Sequence, residues 1–362
     1  MMMSEKCKQH VDSCRFCWMC HHICPIGNAT GLERNTAKGR ALGISLVNRG
    51  SLVLSDIMDN IYECACCGAC VKDCITGWDP VMFTKETRLH AAMEGALPEY
   101  INVLVDNCLE TGNAYGAKEL NSELSAAIAK HADKKDVVLF LGVDARYKVP
   151  AAAVKAIKVL EKAGVEFTVL ADEKASGAQL EYLISAANET KEQMMACANQ
   201  LNDFAKVVVY DPQDAKVFKR EYKEWGVELK AEATTFTSFL AELLEASKLV
   251  ANQSGTEVTY QDPFQLSRDL GEMEEPRKVI GAFATVKEML CSREATMWAG
   301  NLLMKEWMSN VIDAVAQGRI NNAKGVDADT IVTASVSEYA ALKAVEQSDV
   351  KILSIEELIL GE

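Results

Sequence analysis

Two short runs of cysteine carry the spacing that holds an iron–sulfur cubane. The first reads Cys14-Arg-Phe-Cys17-Trp-Met-Cys20-His-His-Ile-Cys24-Pro25, and the second reads Cys64-Ala-Cys66-Cys67-Gly-Ala-Cys70-Val-Lys-Asp-Cys74. Each contains C-x2-C-x2-C-x3-C. Three thiolates on so short a loop take three iron corners, and the fourth turns away to the other cluster. One [4Fe–4S] cluster is therefore expected on Cys14, Cys17, Cys20 and Cys74 (cluster I), and a second on Cys64, Cys67, Cys70 and Cys24 (cluster II). Soft thiolates without neighbouring carboxylates suit iron–sulfur or zinc. Structural zinc takes two well-separated ligand pairs, which two equal four-point runs fit poorly. A disulfide framework needs a secretory leader and cysteines far enough apart to bridge, and the sequence offers neither.

The neighbours refine this expectation. Pro25 fixes the turn after the first crossing ligand, whereas Cys74 is followed by Ile75-Thr76-Gly77. Cys66 reads as a spare, buried thiol behaving as a small hydrophobe. Cys7 reads as part of a mobile N-terminal segment without a role. His21 and His22 stand where they either donate hydrogen bonds near cluster I or lie on the surface. Arg34, Lys38, Arg40 and Arg49 form a basic stretch close to cluster I. It either docks an acidic redox partner by electrostatic steering or forms a solvated helix face paired with Glu33.

The elements that must position these residues are helical. Thr36 can cap a helix over 37–47 that ends near Gly50, and Ser55 one over 56–63. Asp79-Pro80 opens another, closing at Gly95. Residues 1–112 therefore read as a ferredoxin-type domain of the α-helical kind. From about residue 134 strands alternate with helices. Strands are expected at 137–143, 166–170 and 206–210, with helices at 150–163 and 213–225. A pattern then recurs: 207–212, a helix and a strand from 227 are echoed by 331–336, a helix and a strand from 350, and 236–244 by 355–360. Strand 257–260 opens the second unit. The expected architecture is multidomain α+β, with the helical domain followed by two tandem α/β units at 134–247 and 256–362, joined by a polar linker at 246–256.

The formal charge is −14 over 362 residues, which argues against nucleic acid, whose binding rests on basic contacts to phosphate. No apolar run reaches the length of a membrane span, and Met1–Met3 lead straight into polar sequence, so a cytoplasmic chain is expected, meeting a membrane only through a partner. No Ser/His/Asp arrangement, metal-hydrolase pattern or Gly-rich phosphate fingerprint is present. Gly142 stands alone after its strand.

With these residues in view, the chain resembles the iron–sulfur subunits of the glycolate oxidase, L-lactate oxidation and anaerobic glycerol-3-phosphate dehydrogenase systems, and the D subunit of heterodisulfide reductase. Besides the cysteine runs, the resemblance is carried by Asn35-Thr-Ala-Lys-Gly-Arg40, Val258-Thr-Tyr-Gln-Asp-Pro-Phe-Gln-Leu-Ser-Arg268 and Glu275-Pro-Arg277. It implies a two-cluster ferredoxin domain followed by two Cys-Cys-Gly domains, which in heterodisulfide-reductase-like members bind a further cluster. Here those positions read Ala175-Ser176-Gly177, Asp211-Pro-Gln-Asp214, Phe264, Met297-Trp298 and 334–338, all without thiols, while Cys108, Cys197 and Cys291 fall elsewhere. No cluster is expected in these C-terminal units, which then serve as a scaffold or bind something else, such as a flavin or a partner's loop.

The resemblance implies a non-catalytic electron-transfer subunit. It would relay single electrons between an FAD- or FMN-containing flavoprotein and a carrier such as ferredoxin or quinone. The rival readings are a thiol- or disulfide-active reductase subunit and a cluster-based redox sensor.

Overall fold

The structure, a computed structural model, describes residues 3–253 and 255–362. Met1 and Met2 of the opening run, and Ser254 of the expected linker, lie outside the described residues.

Short helices build the first 112 residues, among them Glu5–Asp12, Met19–Ile23, Pro25–Thr30, Ala37–Asn48, Met58–Tyr62, Pro80–Glu94 and Glu99–Thr111. The capping chemistry explains their ends. Thr36 accepts a hydrogen bond from the Gly39 amide, and Asp79 accepts one from the Met82 amide ahead of Pro80. Gly39 has no room for a side chain, since a Cβ there would lie 2.6 Å from the Arg34 carbonyl oxygen. The expected helix at 56–63 begins late. Asp56 turns back to accept from the Val53 amide (3.0 Å), so residues 54–57 form a tight 3-10 turn before the helix starts at Met58.

Cys7 corrects an expectation. It sits not on a mobile segment but in the helix Glu5–Asp12, fully buried, with its Sγ 3.4 Å from the Met3 Sδ. Burial, reinforced by Glu86, pushes its thiol up to about 12.

Two parallel sheets follow. The first holds β1 (Val137–Phe140), β2 (Lys206–Val209) and β3 (Glu232–Thr235) in the order β1-β2-β3. The second holds β4 (Glu257–Gln261), β5 (Thr285–Val286), β6 (Thr330–Thr333) and β7 (Lys351–Ser354) in the order β5-β4-β6-β7. Thr168 pairs with Val138 on the free side of β1, so the two sheets share one connectivity. The strand expected at 166–170 shrinks to this single bridge. The strand expected from 227 instead forms at 232–235, registered against 206–209. At β1 the strand stops at Phe140 because Gly142, at φ 81°, turns the chain into the helix Val143–Tyr147. The helix expected at 213–225 runs as Pro212–Lys216, a π turn at Val217–Glu221 and Tyr222–Glu224.

The apolar core does not stop at residue 112. Ile26, Ile44, Met58, Ile61 and Phe83 pack in one continuous cluster with Leu180, Leu183, Met304, Ile312 and Ile320. The helix Leu302–Lys324 lies against Pro25–Thr30. A buried ion-pair network crosses the same boundary, where Lys85 pairs with Glu181 and Lys216 lies 2.8 Å from Glu221. Burial would raise the Glu181 carboxyl, but Lys216 and Lys85 hold it at about 2.

Candidate metal centres

The two cysteine runs fold into loops of the same backbone shape. Phe16 and Cys66, each two residues after the first cysteine of its run, take left-handed φ of 54° and 52°. Trp18 and Gly68 follow at 68° and 73°, and a short helix starts at the next residue in both. For non-glycine residues such conformations cost about 1 kcal/mol or more each. They turn amides inward, and the Phe16 and Cys66 amides donate to the Cys14 and Cys64 sulfurs at 3.4 Å. The Gly27 amide does the same for Cys24 at 3.4 Å. Cys66, expected as a buried spare, is half-buried, and its place in the loop is the one Phe16 fills in the other.

Each loop lines its own cavity. The first encloses about 510 Å³ of space and is lined by Cys14, Cys17, Cys20 and Cys74, with Phe16, Trp18, Lys38 and Trp78 among its walls. The second encloses about 420 Å³ and is lined by Cys24, Cys64, Cys67 and Cys70, with Arg40 and Thr84. Each cavity thus takes the last cysteine of the other run beside cysteines of its own, with Cys66 a further thiol in the second. Among the described residues, no three Cys, His, Asp or Glu side chains converge as on a single metal ion. The eight thiols surround volumes instead, the arrangement a cubane needs.

The surroundings of the two cavities differ. The first is open: Cys17 is exposed, as are Phe16, Trp18, Met19 and Ile75, the last at 88 %. Lys38 lies 3.9 Å from the Trp18 ring centroid and bonds Glu33 at 2.7 Å. His21 stacks at a tilt near Trp18, and His22 is exposed. Arg40 lines the second cavity, and two further arginines hold its loop. Arg88, fully buried, donates to the carbonyls of Cys64 (2.7 Å), Ile61 (3.1 Å) and Tyr182 (2.7 Å). Its guanidinium lies over the rings of Tyr62 and Tyr182. Arg268 arrives from the second sheet unit and donates to the Cys67 carbonyl at 2.8 Å. Burial pushes the Cys67 thiol up to about 11 and Cys70 well above the ordinary range. The hydrogen bond from Cys66, against burial and with help from Arg40 and Arg88, holds Cys64 well below it. Such thiols accept ionisation readily only with positive charge beside them, which metal and arginine both supply.

The basic stretch does not form one face. Arg40 is buried, its Nε donating to the Asn60 carbonyl at 3.1 Å, so it walls the second cavity and cannot meet a partner. Arg34 pairs with Glu63 at 2.6 Å and Arg49 lies 3.7 Å from Asp12, both exposed. The two C-terminal landmarks meet each other: Arg277 grips Asp262 through two bonds of 2.7 and 2.9 Å.

Several thiol-free motif positions also come together. Ser176, Asp211 and Asp214 line a cavity of about 380 Å³ with Asp144 and Gln179. Ser176 donates to Asp214, and Ser337, from the helix after β6, donates to Asp144. Phe264 and Trp298 lie in the apolar core instead. Gly142 has no phosphate role, because the amides of Leu141 and Gly142 are both taken by Glu173, at 2.8 and 2.9 Å. A Cβ at Gly142 would also strike Asp214. Burial raises the carboxyls of Asp144, Asp211 and Asp214, and repulsion between neighbours adds to it at the last two, taking Asp211 to about 7. A carboxyl whose folded pKa exceeds its unfolded value binds more protons when folded, so stability falls as pH rises from about 4 to about 7. Asp211→Asn keeps the N-cap to the Gln213 amide (3.0 Å) and removes the charge. At pH 8 it stabilises the chain by about 1–3 kcal/mol and flattens the pH dependence of the urea midpoint; an unchanged profile would refute this account.

No protein-family model matches the chain. It is 26 % identical over 361 residues to the D subunit of dihydromethanophenazine:CoB–CoM heterodisulfide reductase of Methanosarcina acetivorans, covering 90 % of this chain and 86 % of that one. It is 29 % identical over 254 residues to a "probable membrane-anchored ferredoxin" of Chromohalobacter salexigens, 66 % of this chain and 37 % of that one. It is 35 % identical over 156 residues to a "probable iron-sulfur-binding oxidoreductase" of Bacillus subtilis, 41 % and 21 % respectively. Among the described residues no helix is long and apolar enough to cross a membrane. The chain is thus similar over most of its length to the D subunit of heterodisulfide reductase, and over shorter stretches to proteins named as a ferredoxin and an iron–sulfur-binding oxidoreductase.

Proposed function

We propose that the chain is an electron-transfer iron–sulfur subunit holding two [4Fe–4S] clusters, cluster I on Cys14, Cys17, Cys20 and Cys74 and cluster II on Cys64, Cys67, Cys70 and Cys24. The observation that carries this reading is the exchange of the fourth cysteine between two thiol-lined cavities. Bound clusters would accept and release one electron at a time, at potentials set by charge, hydrogen bonds to sulfur and exposure. The chain's own residues divide the labour. The amides of Phe16, Gly27 and Cys66 donate to the ligand sulfurs. Phe16, Trp18, Met19 and Ile75 present an apolar rim over the exposed Cys17, where a partner exchanges electrons with cluster I. That partner is a flavoprotein, with ferredoxin or a quinone-linked carrier on the other side of the relay. One curated relative is named an EtfAB:quinone oxidoreductase, 25 % identical over 291 residues. The C-terminal body, with its carboxylate-lined cavity, is a scaffold without a cluster.

The test is iron and acid-labile sulfide per chain on anaerobically purified protein, with EPR of the reduced form. About eight irons and two interacting cubane signals are expected. About twelve would place a further cluster in the C-terminal body, and about four would leave one cavity without its cubane.

A further inference from the structure

The second cavity has a feature that ligation alone does not need. Three guanidinium groups from three separate parts of the chain reach it or the loop that lines it: Arg40 from Ala37–Asn48, Arg88 from Pro80–Glu94, and Arg268 from the π turn Gln265–Asp269. Arg40 lines the cavity itself. Arg88 and Arg268 hold the carbonyls of two of its cysteines, Cys64 at 2.7 Å and Cys67 at 2.8 Å. Each of the three keeps one buried nitrogen with no hydrogen-bond partner: Arg40 Nη2, Arg88 Nε and Arg268 Nη2. A buried, unpaired guanidinium nitrogen is costly unless negative charge lies nearby. Among the described residues none of the three makes an ion pair with a carboxylate, whereas Arg277, Arg220 and Arg34 all do. The first cavity has two cations among its walls, but Lys38 is paired with Glu33 and Arg15 is exposed to solvent.

We infer that Arg40, Arg88 and Arg268 form a cationic cage that raises the reduction potential of cluster II above that of cluster I, so that a relayed electron rests on the buried cluster. The inference depends on the two-cluster reading above. One-electron reduction adds a unit of negative charge. The electron comes from cluster I, which the flavoprotein supplies, and no atom or proton moves with it. Burial alone disfavours added negative charge. It also removes the water that would screen three fixed cations, so the same low dielectric strengthens their attraction. Guanidinium stays protonated at every working pH, so the bias does not depend on titration. Arg268 also gives the C-terminal body a direct part in tuning the relay, which a passive scaffold would not have.

The experiment is an anaerobic redox titration followed by EPR on the full, cluster-loaded chain, with Cys17→Ser used to assign the wave that belongs to cluster II. In the unaltered chain, cluster II is reduced first. Arg268→Gln shifts electron occupancy away from cluster II about tenfold, equivalent to about 59 mV for one electron, and leaves cluster I in place. Arg268→Lys keeps the charge and restores most of the occupancy. Arg40→Gln, on a separate helix, acts in the same direction and serves if Arg268→Gln loses its fold. Full loading with cluster I reduced first, or with both waves unmoved in the Gln variants, overturns the cage while leaving the two-cluster reading intact. A chain that holds no cubane overturns that reading instead, and the cage with it.

Discussion

Cys67→Ser lowers the iron of the anaerobically purified chain from about eight to about four atoms, whereas Cys66→Ser, one residue away on the same loop, leaves it unchanged. Both thiols line the second cavity, so proximity alone does not separate them. Geometry does. Cys66 occupies the left-handed position that Phe16, which carries no thiol, fills in the first loop. Cys67 is buried at the turn whose carbonyl Arg268 holds. Serine is a hard, poorly ionised donor and does not replace a thiolate on a soft iron corner. Iron per chain, with EPR of what remains, reads the outcome. Equal losses from both variants would mean that the C-x2-C-x2-C-x3-C spacing does not select the ligands.

Arg88→Met removes one donor from each of the carbonyls of Ile61, Cys64 and Tyr182. The Tyr182 hydroxyl still donates to the Cys64 carbonyl at 2.6 Å and the Cys64 amide to that of Ile61 at 3.4 Å, so the Tyr182 carbonyl is the one left bare, at a cost of about 1–3 kcal/mol. The cation stacked over Tyr62 and Tyr182 is lost as well. The apparent urea midpoint falls accordingly, and the absorbance of cluster II bleaches before that of cluster I because Cys64 keeps only the Tyr182 hydroxyl of its two side-chain anchors. A midpoint within experimental error of the unaltered chain would show that methionine packing fully replaces the hydrogen bonds.

Much of this architecture could be read from residue types, for local reasons. Thr36, Asp79-Pro80 and Gly95 mark helix ends because caps are formed by neighbours in sequence. The apolar runs around 138 and 207 mark buried strands because parallel sheets bury both faces. The spacing of the two runs also carries the expectation that each lends its last cysteine to the other. What could not be read was set by distant partners. Arg40 looked like surface in a basic stretch, and only the fold shows it lining the cavity of Cys24 and Cys64. Cys7 looked idle until the helix Glu5–Asp12 docked on Pro80–Glu94. The strand expected from 227 slipped to 232 because its register is fixed by β2, not by its own composition. Arg268 belonged to a landmark string, yet nothing near it in sequence indicated that it reaches Cys67.

That reach spans 201 residues of chain. At the usual pace of synthesis of about 5–20 residues per second, Cys67 leaves the ribosome roughly 10–40 s before Arg268. Leu183, whose carbonyl receives the Tyr62 hydroxyl at 2.6 Å, also arrives late. During that interval the thiols of the second loop are complete as a set but lack their lid, open to iron, to oxygen and to one another. The finished chain, not the loop alone, completes the site, so the hold on Cys67 arrives only with the C-terminal body.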